Sequence, residues 1–158
     1  MTVRMRWLGL MALASLVLSG CSTAGGADGT SASAGGVIEL AVAEVCEAGS
    51  DPQCVLVGEE YVVVPSDFES AGVESAAAIE DAQQNAVEVT LTSEGAAVLN
   101  DLSGQAAQAG DDTRLLFKVD DDILSAVRVM DALQGNQVVI ALGSEDAPQE
   151  LVDRLQGS

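Results

Sequence analysis

The sequence predicts an α+β domain, in which an antiparallel sheet of about five to seven strands carries two helices on one face. Three observations predict this class. Val87, Val89 and Leu91 alternate with polar residues, which is the two-residue period of a half-buried strand. From residue 93 the larger apolar residues follow a helical spacing instead. Alternation then returns at residues 115–119 and 123–129, so strand, helix and hairpin follow one another.

The remaining elements follow from the same patterns. Apolar alternation indicates strands before and after this stretch, and Thr92 or Ser93 is a candidate cap for the first helix. Ser144 is the predicted cap of a last helix, with Glu145 and Asp146 in its first turn. The other predicted strands are residues 37–45, 55–64, 72–80 and 137–142.

The amino terminus predicts export and lipid anchoring. Arg4 and Arg6 precede an apolar run at residues 7–18 that is too short to span a bilayer. The run ends in L-S-G-C at residues 18–21, which resembles the lipobox of bacterial lipoproteins. The resemblance implies that residues 1–20 are a lipoprotein signal peptide and that Cys21 carries a diacylglycerol and an amide-linked acyl chain such as palmitate. An ordinary cleaved signal with a chance cysteine is the alternative.

The anchor predicts where the protein is found and how its domain is held. Two or three acyl chains hold a protein on a membrane stably, so we expect an extracytoplasmic protein at the outer face of the cell membrane. Residues 21–36 comprise the lipidated cysteine and a flexible Gly/Ser/Ala linker with a root-mean-square span of roughly 20 Å. Residues 37–158 form the predicted folded domain.

Two cysteines remain after lipidation. In an exported chain we expect Cys46 and Cys54 to form a disulfide across the turn-rich segment between them. A metal site and a redox pair are the alternatives. The sequence contains no histidine and no C-x-x-C spacing, and both facts favour the disulfide.

Charge and composition exclude some classes of partner and activity. The sequence has 25 acidic and 6 basic residues, for a formal net charge of −19, so phosphate backbones would repel it and nucleic acid is not an expected partner. Without histidine there is no Ser-His-Asp relay, and Lys118 is the single lysine. The chain has few aromatic residues to line a sugar cleft. We therefore expect a protein that is not an enzyme and needs no cofactor; a carboxylate hydrolase is the alternative.

The sharpest acidic cluster is the predicted hairpin turn at Asp120, Asp121 and Asp122. These carboxylates are weak candidates for calcium, which normally takes six or more oxygen ligands from spaced positions. A solvated turn without metal is the favoured interpretation, and no metal site is predicted.

Several motifs resemble one family. They are V-E-V-T-L-T-S-E-G-A-A-V-L at residues 87–99, V-D-D-D-I-L-S-A-V-R-V at 119–129 and G-V-E-S-A-A-A-I-E-D at 72–81. Together with Q-G-N-Q-V-V-I at 134–140 they are similar to the head subdomain of the large periplasmic domain of SecD and SecDF, membrane proteins that assist preprotein translocation. The resemblance covers residues 66–158. The chain departs from the pattern at Asp121, where the family usually has glycine, and at Val127, where it has proline.

The resemblance implies a SecDF head-like fold and a function in binding. The family's head subdomain is thought to engage emerging polypeptide, which implies binding of extended peptide by strand addition at a sheet edge. We therefore expect a non-enzymatic accessory in protein export or polypeptide binding, with a polypeptide or the Sec translocase as partner. The alternative is an acidic cell-surface lipoprotein, unrelated to export, that binds a solute, calcium or a cationic partner.

Overall fold

The computed structural model describes residues 35–81, 84–144 and 146–157. The predicted signal peptide, Cys21 and most of the predicted linker lie outside these residues. The described elements are β1 (Val37–Glu44), β2 (Cys54–Val57), β3 (Glu60–Val63), β4 (Glu69–Asp81), β5 (Gln84–Leu91), α1 (Ser93–Ala109), β6 (Thr113–Val119), β7 (Asp122–Val127), β8 (Gln137–Ala141) and α2 (Pro148–Gly157). Within them, no helix combines the length and apolarity that a membrane span requires.

Six strands form one sheet in the order β7-β6-β1-β4-β5-β8, and every neighbouring pair is antiparallel. Strands β2 and β3 form a separate hairpin. With the two helices, this architecture confirms the predicted α+β class and strand number.

Strand β4 joins the two halves of the sheet. Its first four residues, from Glu69 to Gly72, pair with β1, whereas the rest pairs with β5. The register shifts between Val73 and Ser75, immediately after the partner changes. The sheet therefore consists of a β7-β6-β1 half and a β5-β8 half, and it curls enough that Cα atoms of the two edge strands, β7 and β8, come within 8 Å.

Both helices pack on one face of the sheet and bury a single apolar core. Helix α1 lies over β1, β4 and β6, and α2 lies over β4 and β5. The helices contribute the apolar side chains that their 3.6-residue period places on one side. The buried helical side chains are Leu99, Leu102, Ala106, Leu151, Val152 and Leu155. The strands supply mainly Ile38, Leu40, Val87, Val89, Leu91, Leu115, Phe117 and Val119.

The described residues cover the opposite face of the sheet over one half. The β2-β3 hairpin packs there and forms a second core of Ala43, Val57, Val62 and Leu116. The apolar pattern predicts one strand over residues 55–64, and that prediction is wrong. Gly58 takes a left-handed conformation (φ 62°) and turns the chain, so two four-residue strands replace one long strand.

The cap of α1 confirms the prediction, but the start of α2 does not. Thr92 Oγ1 accepts a hydrogen bond from Gly95 N at 3.1 Å, which makes Thr92 the cap of α1. Helix α2 begins only at Pro148, so Ser144 is not its cap. Asp146 instead uses its carboxylate to accept from Gly143 N at 3.0 Å, and proline at a first helical position suits the fixed φ of its ring.

Gly95 lets α1 approach the sheet at the point where β4 changes partner. A Cβ added to Gly95 would lie 2.6 Å from the carbonyl oxygen of Gly72 and 2.9 Å from its nitrogen. Both atoms belong to sheet backbone, so they have little room to move. The glycine of the S-E-G-A motif is therefore required by close packing between helix and strand.

Replacing Gly95 with alanine is expected to destabilise the protein. The clash forces α1 away from β4, and overpacking of about 1–3 kcal/mol exceeds the gain of about 1 kcal/mol in helix propensity. Chemical denaturation of the full chain measures the difference. The matched control is Gly104→Ala in the same helix, where the nearest side-chain atom would lie at 3.5 Å and stability should rise or stay the same. Equal effects of the two substitutions would contradict this account.

Candidate functional site

Cys46 and Cys54 are joined by a disulfide with a Cα–Cα distance of 6.1 Å, which confirms the predicted pairing. The bond ties the end of β1 to the start of β2. Backbone contacts continue the connection, because Cys46 N donates to the Tyr61 carbonyl at 2.9 Å. The disulfide therefore fastens the hairpin to the sheet at one end.

An ion pair fastens the hairpin at its other end. Arg114 on β6 is buried, and its Nε and Nη2 donate to the two carboxylate oxygens of Glu60 at 2.5 and 2.6 Å. Its Nη1 also donates to the carbonyl oxygens of Asp111 and Thr113. The hydrogen bond from Arg114 lowers the pKa of Glu60 below its usual value, and the same bond raises the pKa of Arg114. Sequence patterns did not indicate this pair, which joins residues 54 positions apart.

Lys118 makes a third contact, on the face of the sheet away from the helices. Its Nζ donates to Glu39 Oε2 at 2.5 Å and lies 5.0 Å from the centroid of the Phe68 ring. A carboxylate and an aromatic face both attract a cation. The role of Lys118 is therefore structural: it pairs with Glu39 and packs on Phe68.

The acidic turn is tied to the last helix. Arg154 of α2 contacts Asp120 Oδ2 and Asp122 Oδ2, each at 3.1 Å, and donates to the Val119 carbonyl at 2.8 Å. Asp120 takes the left-handed conformation (φ 54°), which aspartate tolerates better than most residues, so the turn forms without a glycine at Asp121. In the described part of the chain, no group of three or more His, Cys, Asp or Glu residues is arranged to hold a metal ion.

Every basic residue in the described ranges has an acidic partner. The ion pairs are Arg114–Glu60, Lys118–Glu39, Arg128–Asp111 and Arg154 with Asp120 and Asp122. The acidic residues far outnumber these basic ones, so the unpaired charge at the surface is negative. A positively charged ligand is therefore the complementary class.

The two edges of the sheet differ. The β7 edge begins at an acidic turn, is interrupted by a register shift at Phe117/Lys118 and lies against β2. Charges, bulges and covering segments are the devices that protect edge strands from pairing with other chains. Strand β7 is therefore a protected edge.

In the described part of the chain, no strand pairs with the outer side of β8, and β8 has no charge, proline or bulge, although part of it lies within 8 Å of β7. Residues 132–144 contain no charged residue and no proline, and β8 pairs with β5 in an unbroken register. Val139, at its centre, is 59% exposed. This uncharged run is the sequence signal that could have located the edge, but sequence alone could not show that β8 is an outer strand.

The backbone of β8 is oriented for pairing. Leu91 N donates to the Asn136 carbonyl at 2.7 Å, and Leu142 N donates to the Asn85 carbonyl at 2.8 Å. Because hydrogen-bonding direction alternates along an antiparallel strand, the even-numbered residues of β8 face β5. The N–H and C=O groups of Gln137, Val139 and Ala141 therefore point away from β5, in the direction from which a further strand would pair.

Exposed apolar residues occur elsewhere but are separate from this edge. Leu56 and Tyr61 face each other across the hairpin, on the side away from the sheet, and Leu56 is 55% exposed. Met130, in the loop between β7 and β8, is 77% exposed. Met130 is not part of a strand, and the hairpin strands that carry Leu56 and Tyr61 are only four residues long.

Comparison with known proteins decides the fold. A solved structure described as the membrane component SecDF that enhances protein export matches with a TM-score of 0.50 over 78% of this chain, at 18% identity. The fold is SecDF-like. The predicted resemblance to the SecDF head is confirmed at the level of the fold, and the chain spans 61% of the length of that solved chain. No family model matches the sequence, and no curated protein matches it.

Within this SecDF-like fold, Glu60→Gln is expected to destabilise the protein by about 1–2 kcal/mol at neutral pH, because Arg114 loses its carboxylate but keeps two carbonyls. The pKa of Glu60 is lowered in the folded state, so its contribution is complete above the unfolded pKa and is lost as pH falls through the folded value. The difference between the two forms should therefore begin to shrink near the unfolded pKa of about 4.3 and disappear only at lower pH. A difference that persists at low pH would contradict the assignment. Glu44→Gln, an exposed carboxylate at the end of β1, is the control and should have little effect.

Calcium is expected to leave the melting temperature unchanged. The acidic turn already has Arg154 as its counter-charge, and its three adjacent carboxylates lack the spaced ligands of a calcium site. Thermal melting with and without millimolar calcium tests this. A rise in melting temperature that Asp122→Asn abolishes would overturn the expectation and support the calcium-binding alternative.

Proposed function

We propose that this protein is a non-enzymatic, extracytoplasmic lipoprotein that binds extended polypeptide and acts as an accessory in protein export. The observation that carries the proposal is a SecDF-like sheet that ends in β8, an outer strand without charge, proline or bulge. The solved relative of this fold is a membrane component that enhances protein export. Fold alone does not fix function, so the proposal depends equally on the edge.

Strand addition is the mode of binding that the edge supports. Main-chain groups of the added strand would pair with the outward groups of Gln137, Val139 and Ala141, and these bonds do not depend on the ligand's sequence. Exposed Val139 supplies apolar contact for alternate side chains. A chain in the extended state satisfies both requirements, whereas a folded domain presents few such segments.

The chemistry of the described residues supports binding in preference to catalysis. The sequence has no histidine, and its single lysine is engaged with Glu39 and Phe68. Arg114 and Arg154 are likewise held in structural ion pairs. In this proposal the protein holds a polypeptide and does not transform it.

The membrane anchor belongs to the same proposal. Acylation of Cys21 would hold the domain on a membrane, and the linker up to residue 36 would let it move within roughly 20 Å of the surface. Export delivers unfolded chains at that surface, so an anchored domain would meet them there.

Photo-crosslinking in cells tests the proposed function. A photoreactive residue replaces Val139 in the full chain, and crosslinked proteins are identified after irradiation. We expect nascent exported chains or Sec components. A matched probe at Val127 on the protected β7 edge should recover far fewer of them. Recovery of cell-wall enzymes alone, or equal recovery at both edges, would argue against the proposal.

A further inference from the structure

We propose that β8 selects positively charged extended segments, with Glu88 as the selecting residue. This inference rests on the proposed polypeptide binding and specifies the chemical class of the ligand. Its basis is the position of an unpaired carboxylate beside β8, an outer strand of the six-stranded sheet that has no charge, proline or register shift.

The first step is the location of Glu88. In the antiparallel register Glu88 of β5 stands directly opposite Val139 of β8, and both side chains are exposed. The register places Glu88 on the face away from the helices, because Val87 and Val89 are buried in the helix-facing core. Among the described residues Glu88 has no ion-pair partner, unlike Glu39 and Glu60 on the other half of that face.

The second step is distance. Neighbouring strands lie about 4.8 Å apart, so a strand added to β8 would lie about 10 Å from β5. A lysine or arginine at every second position of the added strand would project on the same face as Val139. Its apolar stem would cover Val139 while its charged end extends towards Glu88, because long cationic side chains bury their stems and keep their heads in water.

The third step excludes the competing occupant. An unprotected edge often pairs with the same edge of a second copy. Here each copy carries a formal charge of −19, and like charges disfavour their approach. The same charge attracts a cationic segment and increases its rate of association.

Peptide binding to the full-length chain tests the inference. The probes are a synthetic peptide that alternates lysine with valine and threonine, and two counterparts with glutamine or glutamate in place of lysine. Fluorescence anisotropy at low and physiological ionic strength measures affinity. We expect the lysine peptide to bind about five- to tenfold more tightly than the glutamine peptide at low salt, with the difference shrinking as salt rises.

Substitutions locate the site. Glu88→Gln should weaken the lysine peptide about threefold and leave the glutamine peptide unchanged, whereas Glu44→Gln should affect neither. Val139→Pro removes an outward N–H without removing a bond to β5 and should weaken both peptides, whereas Val139→Thr should not. If Val139→Pro does not fold, Val139→Lys replaces it and should weaken the lysine peptide most.

The outcomes separate this inference from the proposed function. Equal binding of all three peptides, reduced by Val139→Pro, would overturn charge selection and leave polypeptide binding intact. A preference for the lysine peptide that neither Glu88→Gln nor the Val139 substitutions change would show that the peptide binds elsewhere on the protein. Self-association in sedimentation that Val139→Pro abolishes, without peptide binding, would make a second copy the occupant. Failure of every peptide together with failed crosslinking would count against the proposed function as well.

Discussion

The close approach of backbone at Gly72 is the constraint on which the rest of the structure depends. At this residue β4 stops pairing with β1 and begins to pair with β5. Gly72 accepts a hydrogen bond from Thr92 N at 2.9 Å, and Thr92 caps α1. A side chain at Gly95 would collide with Gly72. One contact therefore sets the strand crossover, the start of the helix and the depth at which the helix packs.

The consequence of that crossover is a sheet whose two halves have different surroundings on the face away from the helices. The β7-β6-β1 half receives the hairpin, which a disulfide holds at one end and the Glu60–Arg114 pair at the other. The hairpin stops short of β5 and β8, so Val139 stays exposed. The exposure of Val139 and Glu88 on that face thus follows from where the hairpin is fastened, whereas the outer position of β8 follows from the strand order.

The distribution of charge determines which class of ligand this edge can bind. All four basic residues in the described ranges serve the fold, each in an ion pair that joins elements distant in sequence. Among the described residues, none of the four forms an ion pair with Glu88 beside β8. A SecDF-like fold hosts function without specifying it, so the acidic surface and the uncharged strand distinguish what this chain can bind. Strand addition supplies affinity here, and electrostatics supplies selection.

Local patterns by themselves determined most of the elements. Strand and helix periods and the threonine cap act over a few residues, and the disulfide follows from two cysteines in a chain that is predicted to be exported. They misread residues 55–64, where one left-handed glycine makes a hairpin, and the start of α2, where Asp146 turns back on Gly143. Only the tertiary structure decided that β8 is an outer strand and that Glu88 lies beside it. Strand order depends on pairings between segments that are distant in sequence. The local periodicity of a strand does not indicate whether that strand has one neighbour or two.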